Sequence, residues 1–417
     1  MLNRIFRQTD IPKKYHANFL NLYLDIGWFG ILSGSSVNFL NVYAARLGAT
    51  ALQIGLIAAA SAVVSLLIAI PSARWVENRN TNRAVFWSSV FYRLGYAVWI
   101  PLPLLTNPQM QIWALIAITF LMAIPLTPLG VGFNALFAES VPINYRAHVA
   151  GIRNVVFAFT YMASSLISGF ILENTTFTFG YQIIFAIGFF GAAMSSLHLY
   201  FVRPIQDDST PLPTPPEPAP TKKTESPTGI KSALRLDIVR SPFLKVLILL
   251  FGFHFAHYVT NPLYALYNVN VLHLNDDHIG IGTALYYLTV FLGSMQLSKL
   301  VRRMGHKRVT GWGVMGMAAY PFMLSVSHTI WHFYIAAIIG GITWALAGGA
   351  YANYILEKIP PDDRPSHLAW YNMSLNAAIL LSSFIGPAVG DSLGLVMALI
   401  IFGVMRAIAG FAILKWG

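Results

Sequence analysis

Four ionisable side chains stand inside long apolar runs of this chain: Asp25, Arg93, Arg153 and Arg406. A charge in hydrocarbon is costly unless it is paired or faces water, so each of the four needs a partner or a function. Asp25 and Arg93 fall at similar depth when their runs are counted at about 1.5 Å per residue. Two arrangements are open for Asp25. It pairs with Arg93, or it faces a dry cavity, where burial favours its protonated form and lets it carry a proton. His254 and His257 are three residues apart and share a helical face, with Asn261 one turn further on. Histidine titrates near neutral pH, so this face is suited to sensing or moving protons, or to touching a solute. An H-x-x-H pair without a third ligand at recognisable spacing is no metal site, and no cofactor is expected. Neither H-E-x-x-H nor G-x-S-x-G occurs, nor does a phosphate-binding glycine loop, so neither an enzyme nor an ATP-driven pump is expected.

The elements that position these groups follow from composition. The chain has 417 residues, 56% of them hydrophobic and only 10% charged. Lipid is the solvent such a chain requires, and its length accommodates about twelve spanning helices of about 20 residues. Apolar runs place helices near 17–44, 51–74, 82–105, 110–138, 147–173 and 179–201, then near 242–270, 278–300, 308–327, 331–356, 367–390 and 395–415. The net charge of +11 does not signal nucleic acid, because the basic residues lie between apolar runs and not on one water-facing surface. Cysteine is absent, which excludes disulfides and thiolate metal sites. Met1 to Lys14 has four basic residues and no apolar core, so the first helix is expected to remain in the mature protein.

Basic residues also set orientation, because loops rich in them stay cytoplasmic during insertion. With both termini inside, the outer loops hold only Arg46, and all other Lys and Arg lie in inner segments except Arg93, Arg153 and Arg406 in the spans. An integral protein of the cell membrane with both termini cytoplasmic is expected. Between the sixth and seventh helices lies 203–240, with the run PLPTPPEPAP, which reads as an extended cytoplasmic linker. It separates an amino-terminal unit, 1–202, from a carboxy-terminal unit, 241–417.

The two units repeat each other. LGATALQIG at 47–55 parallels LHLNDDHIG at 272–280, and ARWVENRNTNR at 73–83 parallels SKLVRRMGHKR at 298–308, both at an offset of 225 residues. ESVPINYR at 139–146 parallels EKIPPDDR at 357–364 at an offset of 218, and an Asn follows each, at Asn154 and Asn372. Internal duplication suits a transporter, because alternating access needs two bundles that rock about a central site.

With twelve helices in two halves, a central cytoplasmic loop and a basic motif between the second and third helices of each half, the chain resembles the major facilitator superfamily. Arg303, Gly305, Lys307 and Arg308 match the tail of that family's motif, while Ser298 and Arg302 replace its glycine and aspartate. In the first half Ala73 and Glu77 hold those two places and Arg83 keeps the basic end. The resemblance implies a cytoplasmic latch in which Glu77, Arg83, Arg303 and Arg308 take part, made asymmetric by Arg302. The paired Glu139/Arg146 and Glu357/Arg364 are expected to form salt bridges that break as this inner gate opens. The resemblance also assigns the solute path to helices one, four, seven and ten, which brings Asp25, Asn38, Asn134, His254, His257, Asn261, Trp344 and Asn353 onto it, with Arg93 behind Asp25. What it implies overall is a monomeric secondary transporter surrounded by membrane lipids, moving a small organic solute, amphipathic or drug-like, with a proton or other ion as coupling partner. A lipid-moving or non-transporting protein on the same scaffold is the alternative.

Overall fold

The computed structural model describes residues 12–205, 235–360 and 363–417, and every regular element in them is helical. Helix α1 runs over Lys13–Leu32, passes through a π-helical turn at Ser33–Val37 and continues over Asn38–Arg46. Then come α2 (Ala51–Glu77), α3 (Thr81–Trp99), α4 (Pro108–Ser140), α5 (Ile143–Glu173) and α6 (Phe177–Phe201). Helix α7 is broken, with pieces Phe243–Tyr258 and Asn261–Leu266 and a π-helical turn at Tyr267–Val271. The run Asp276–Gly316 holds α8 and the start of α9, separated at Gly305, whose φ of 78° only glycine adopts freely. Ala319–Ser325 completes α9, and α10 (Ile330–Glu357), α11 (Arg364–Leu393) and α12 (Leu395–Trp416) follow.

Local chemistry sets the helix starts. Thr50 and Gln53 form a reciprocal capping box at α2, with the Thr50 hydroxyl accepting from Gln53 N at 3.2 Å and Gln53 Oε1 accepting from Thr50 N at 2.9 Å. Asn80 caps α3, and Asn107 caps α4 ahead of Pro108. These caps define starts that hydropathy leaves open by a turn.

Nine runs of the described residues are long and apolar enough to cross a membrane, and the run 276–325 contains two spans. Helices α1 and α3 are not among the nine, because their inward faces are polar: Asn18, Asp25, Ser35 and Ser36 on α1 and Ser88, Ser89 and Arg93 on α3 are all buried. Outward faces are apolar. Leu67, Leu121 and Phe159 are each exposed by 65% or more, a surface that lipid covers and water would not tolerate. The chain is an integral membrane protein.

The first six helices meet the last six along two seams, α5 against α8 and α2 against α11. Both seams are tightest toward the end of the molecule that carries Arg46. There a methyl group on Gly55 would stand 2.1 Å from the Ser383 carbonyl, so the backbones of α2 and α11 touch without side chains between them. Arg46 pairs with Asp276 at 3.0 Å and donates to the Leu274 carbonyl at 2.6 Å, and Asn275 donates to Glu173 at 2.9 Å. Deeper in the seam, the Ser165 hydroxyl donates to the Gly280 carbonyl at 3.2 Å. At the opposite, basic end, Glu139, Arg146, Glu357 and Arg235 each make their polar contacts within their own half. Arg235, near the end of the linker, bonds Asp237 and Asp363, which holds both carboxyls below the usual carboxylate range. Most of the linker, 206–234, lies outside the described residues.

Candidate functional site

Asp25 lies about three turns from the basic end of α1, and Arg93 and Arg153 lie about three turns from the same end of α3 and α5. The three meet. Arg153 Nη1 is 3.1 Å from Asp25 Oδ2, Arg93 Nη2 is 3.8 Å from Oδ1, and the Ser195 hydroxyl of α6 donates to Oδ1. Arg153 also donates to the Leu22 carbonyl at 2.6 Å and lies over the Phe133 ring, while Arg93 donates to Ser196 at 2.9 Å. The expected pairing of Asp25 with Arg93 is therefore the longer of two contacts, and Arg153 is the nearer partner. A single carboxylate ties four helices of the first half together.

A separate cavity of about 370 Å³ lies between the halves. Asn38 of α1 and Tyr161 of α5 reach it from one side, and His257, Asn261, Trp344 and Arg406 from the other. Tyr161 stacks on Tyr287 of α8 with ring centroids 3.9 Å apart, and His257 stacks on Trp344 at 4.8 Å. The wall is rich in tyrosine, and among the described residues it includes no carboxylate.

Arg406 owes its place to two helix breaks. Where α7 stops at Tyr258, the carbonyls of Ala256 and His257 have no following helical N–H to accept from, because the chain turns at Val259–Thr260 before Pro262. In α9 the Met317 carbonyl faces Pro321 four residues on, and proline has no N–H to give. Arg406 donates to all three: Nε to Ala256 O at 2.9 Å, Nη2 to His257 O at 2.8 Å and Nη1 to Met317 O at 3.3 Å, with Nη2 also donating to the Thr260 hydroxyl, which itself donates to His257 O at 3.1 Å. Carbonyl dipoles cradle the guanidinium, but its full positive charge remains on the cavity wall.

Of the expected solute-path residues, then, Asn38, His257, Asn261 and Trp344 line the cavity. Asp25 and Arg93 are buried away from it, and Asn134 and Asn353 are exposed elsewhere on the bundle. His254 also departs from the shared face expected of it. It turns toward α11, where Nε2 and the Tyr371 hydroxyl are 2.8 Å apart. Of the expected gate residues, Arg146 caps α4 by donating to the carbonyls of Ala138 and Val141, and Glu139 accepts from Thr81. Glu357 lies 2.6 Å from His306. Among the described residues, neither Glu139–Arg146 nor Glu357–Arg364 forms an ion pair in this state. Glu77, Arg83, Arg303, Arg308 and Arg364 are exposed at the same basic end.

The profile of the Major Facilitator Superfamily matches residues 26–275 and 246–416. The chain belongs to the major facilitator superfamily. Its relatives include the cis,cis-muconate transport protein of Acinetobacter baylyi, 23% identical over 66% of each chain. The class B tetracycline resistance protein of Escherichia coli is 25% identical over 28% of each chain. The match thus spans just under two thirds of the first relative and under a third of the second. Among solved structures, a D-xylose–proton symporter superposes with a TM-score of 0.71 at 16% identity, over 96% of this chain and 97% of its own. The nucleoside transporter NupG does so with a TM-score of 0.67 at 13% identity, over 96% and 99%. The twelve helices therefore have the major facilitator fold.

Two residues of the site escape a reading by sequence motif, Arg153 as partner of Asp25 and Arg406 as part of the cavity. Equal depth from the basic end was the available signal for Arg153, obscured by where hydropathy starts α1 and α5. For Arg406 the signal was a cation in mid-span with no carboxylate in the neighbouring runs of its half.

Proposed function

We propose that the protein is a secondary transporter that moves a small organic solute through the cavity by alternating access. The observation that carries this is the polar cavity on the seam between the repeated halves, sealed toward the Arg46 end by the Arg46–Asp276 and Gly55–Ser383 contacts. Family membership supports it, as do the relatives' names, which cover muconate, nucleosides and xylose. The positive-inside bias makes the basic end cytoplasmic, so this state faces inward. The units 1–202 and 241–417 rock as rigid bodies in a monomer, and Glu77, Arg83, Glu139, Arg146, Arg303, Arg308, Glu357 and Arg364 change partners when the inner end closes. Asp25 is a fastener in this scheme, and the coupling group is His257, the histidine on the cavity wall, faced by Arg406, Tyr264 and Trp344, with His254 beside it on α7.

Flux in proteoliposomes tests this. Solute uptake driven by an imposed pH gradient is expected, and His257→Gln should remove the gradient dependence of whatever downhill exchange it retains. No flux of any metabolite, together with movement of labelled lipid between leaflets, would sink the solute reading in favour of lipid transport.

A further inference from the structure

The cavity wall has polar atoms with nothing to bond. His257 Nδ1, the Tyr264 hydroxyl and Asn268 Oδ1 are buried without a hydrogen-bond partner, and all three residues line the cavity. Eleven buried side-chain polar atoms of the described residues lack a partner, and three of them gather on this one wall, where each costs about 1–3 kcal/mol until something in the cavity bonds it; that clustering points to a ligand. Their chemistry is not uniform. Tyr264 donates, and its ring lies 5.9 Å from the Arg406 guanidinium. Arg406 in turn bonds the His257 carbonyl and has one Nη1 hydrogen left after its four bonds to protein. Those groups form a patch of positive charge and donors. Asn268 Oδ1, one turn beyond Tyr264 on α7 toward the Arg46 end, can only accept. Aromatic rings, including those of Tyr286 and Tyr320, line the same cavity.

Taking the cavity to be the solute site proposed above, we infer that its ligand is a small planar organic acid. Its carboxylate meets the Arg406–Tyr264–His257 patch, and a hydroxyl or amino donor at its other end meets Asn268. A neutral ligand leaves the Arg406 charge unanswered in a wall without carboxylates, and a cation is repelled by it.

Calorimetric titration of the purified full-length protein in detergent tests the inference, with 4-hydroxybenzoate, benzoate and 4-hydroxybenzyl alcohol as probes. The acid with both groups is expected to bind at least about tenfold more tightly than either probe lacking one of them. Tyr264→Phe keeps the ring packed on Tyr320 and removes only the hydroxyl. It should weaken both acids about tenfold and leave the alcohol unchanged. Asn268→Leu should reduce 4-hydroxybenzoate to the level of benzoate. Equal binding of acid and alcohol overturns the inference, as does flux of neutral solutes by a protein that binds neither acid, although the latter leaves the transporter reading intact. Acid binding without any flux has the opposite meaning: it supports the ligand class and removes the transporter.

Discussion

The two halves fasten their first and fifth helices at corresponding heights with different chemistry. In the first half Arg153 of α5 meets Asp25 of α1 at 3.1 Å, and Arg93 joins them. The offset of 218 residues that aligns ESVPINYR with EKIPPDDR carries Arg153 onto Tyr371 of α11. Tyr371 meets His254 of α7 at 2.8 Å, so the second half uses a hydrogen bond between neutral side chains where the first uses an ion cluster. The cost of burying charge explains where each arrangement is used. The first half encloses its charges in a closed cluster away from the cavity, while the second leaves the Arg406 cation on the cavity wall. Paired buried charge is concentrated in one half, and a cation facing the cavity without a carboxylate in the other.

Asp25→Asn is the sharpest way to break this contrast. It leaves two buried guanidinium groups without a counter-charge, and removing one partner of a buried pair costs about 3–5 kcal/mol. A large drop in thermal unfolding temperature in detergent is expected, and adding Arg153→Met to Asp25→Asn should restore part of it by removing one of the stranded cations. An unchanged unfolding temperature would show that the cluster holds nothing together.

Tyr371→Phe probes the matching tie and should cost less. It removes a hydroxyl and leaves His254 Nε2 without its partner in a buried site, a penalty of about 1–3 kcal/mol with no stranded charge. Measured in the same way, a loss as large as that of Asp25→Asn would remove the distinction between the halves. His254→Leu with Tyr371→Phe, which removes both polar groups, should be milder than Tyr371→Phe alone.

Much of this was legible in the sequence, for physical reasons that differ from residue to residue. Twelve spans could be read because hydrocarbon admits only helices with satisfied backbones, and that leaves a strong hydropathy signal. Even α1 and α3, with their polar inner faces, were bounded by basic and turn-forming residues. Asn38, His257, Asn261 and Trp344 lie on helices that the family resemblance assigns to the solute path, and they line the cavity. What could not be read was which neighbour each histidine meets: His254 turns to Tyr371 of α11, and the turn at Val259–Thr260 before Pro262 frees the Ala256 and His257 carbonyls that Arg406 takes. A further Arg406 bond, to the Met317 carbonyl, depends on a proline in α9, so the arrangement is a coincidence of three helices with no local pattern. The partners of Glu139 and Arg146 in this state could not be read either: a guanidinium close to helix-end carbonyls caps them, so Arg146 donates to Ala138 and Val141 while Glu139 accepts from Thr81.

The smallest expected effect concerns the ionic contact that joins the halves, Arg46 with Asp276. Their side chains are 26% and 13% exposed, and a partly solvated pair of this kind contributes about 0–1 kcal/mol. Arg46→Gln should therefore leave the unfolding temperature nearly unchanged and act on the balance between states, because the pair exists only while the Arg46 end is closed. One kcal/mol changes that balance by about fivefold. The chain has no cysteine, so Asn174→Cys at the end of α5 and His273→Cys before α8 can be spin-labelled as a pair without background. The label distance distribution of Arg46→Gln should shift toward the longer, open population, and the shift should shrink at about 1 M salt, where the screening length falls to about 3 Å and the native pair is itself weakened. Asp25→Asn, which disturbs only one half, should not move this distribution at any temperature below its unfolding. If Arg46→Gln leaves it unmoved as well, the closed end is held by the close backbone contacts of Gly55 with Ser383 and of Gly280 with Ser165, and the ion pair only decorates a seam that backbone packing has already closed.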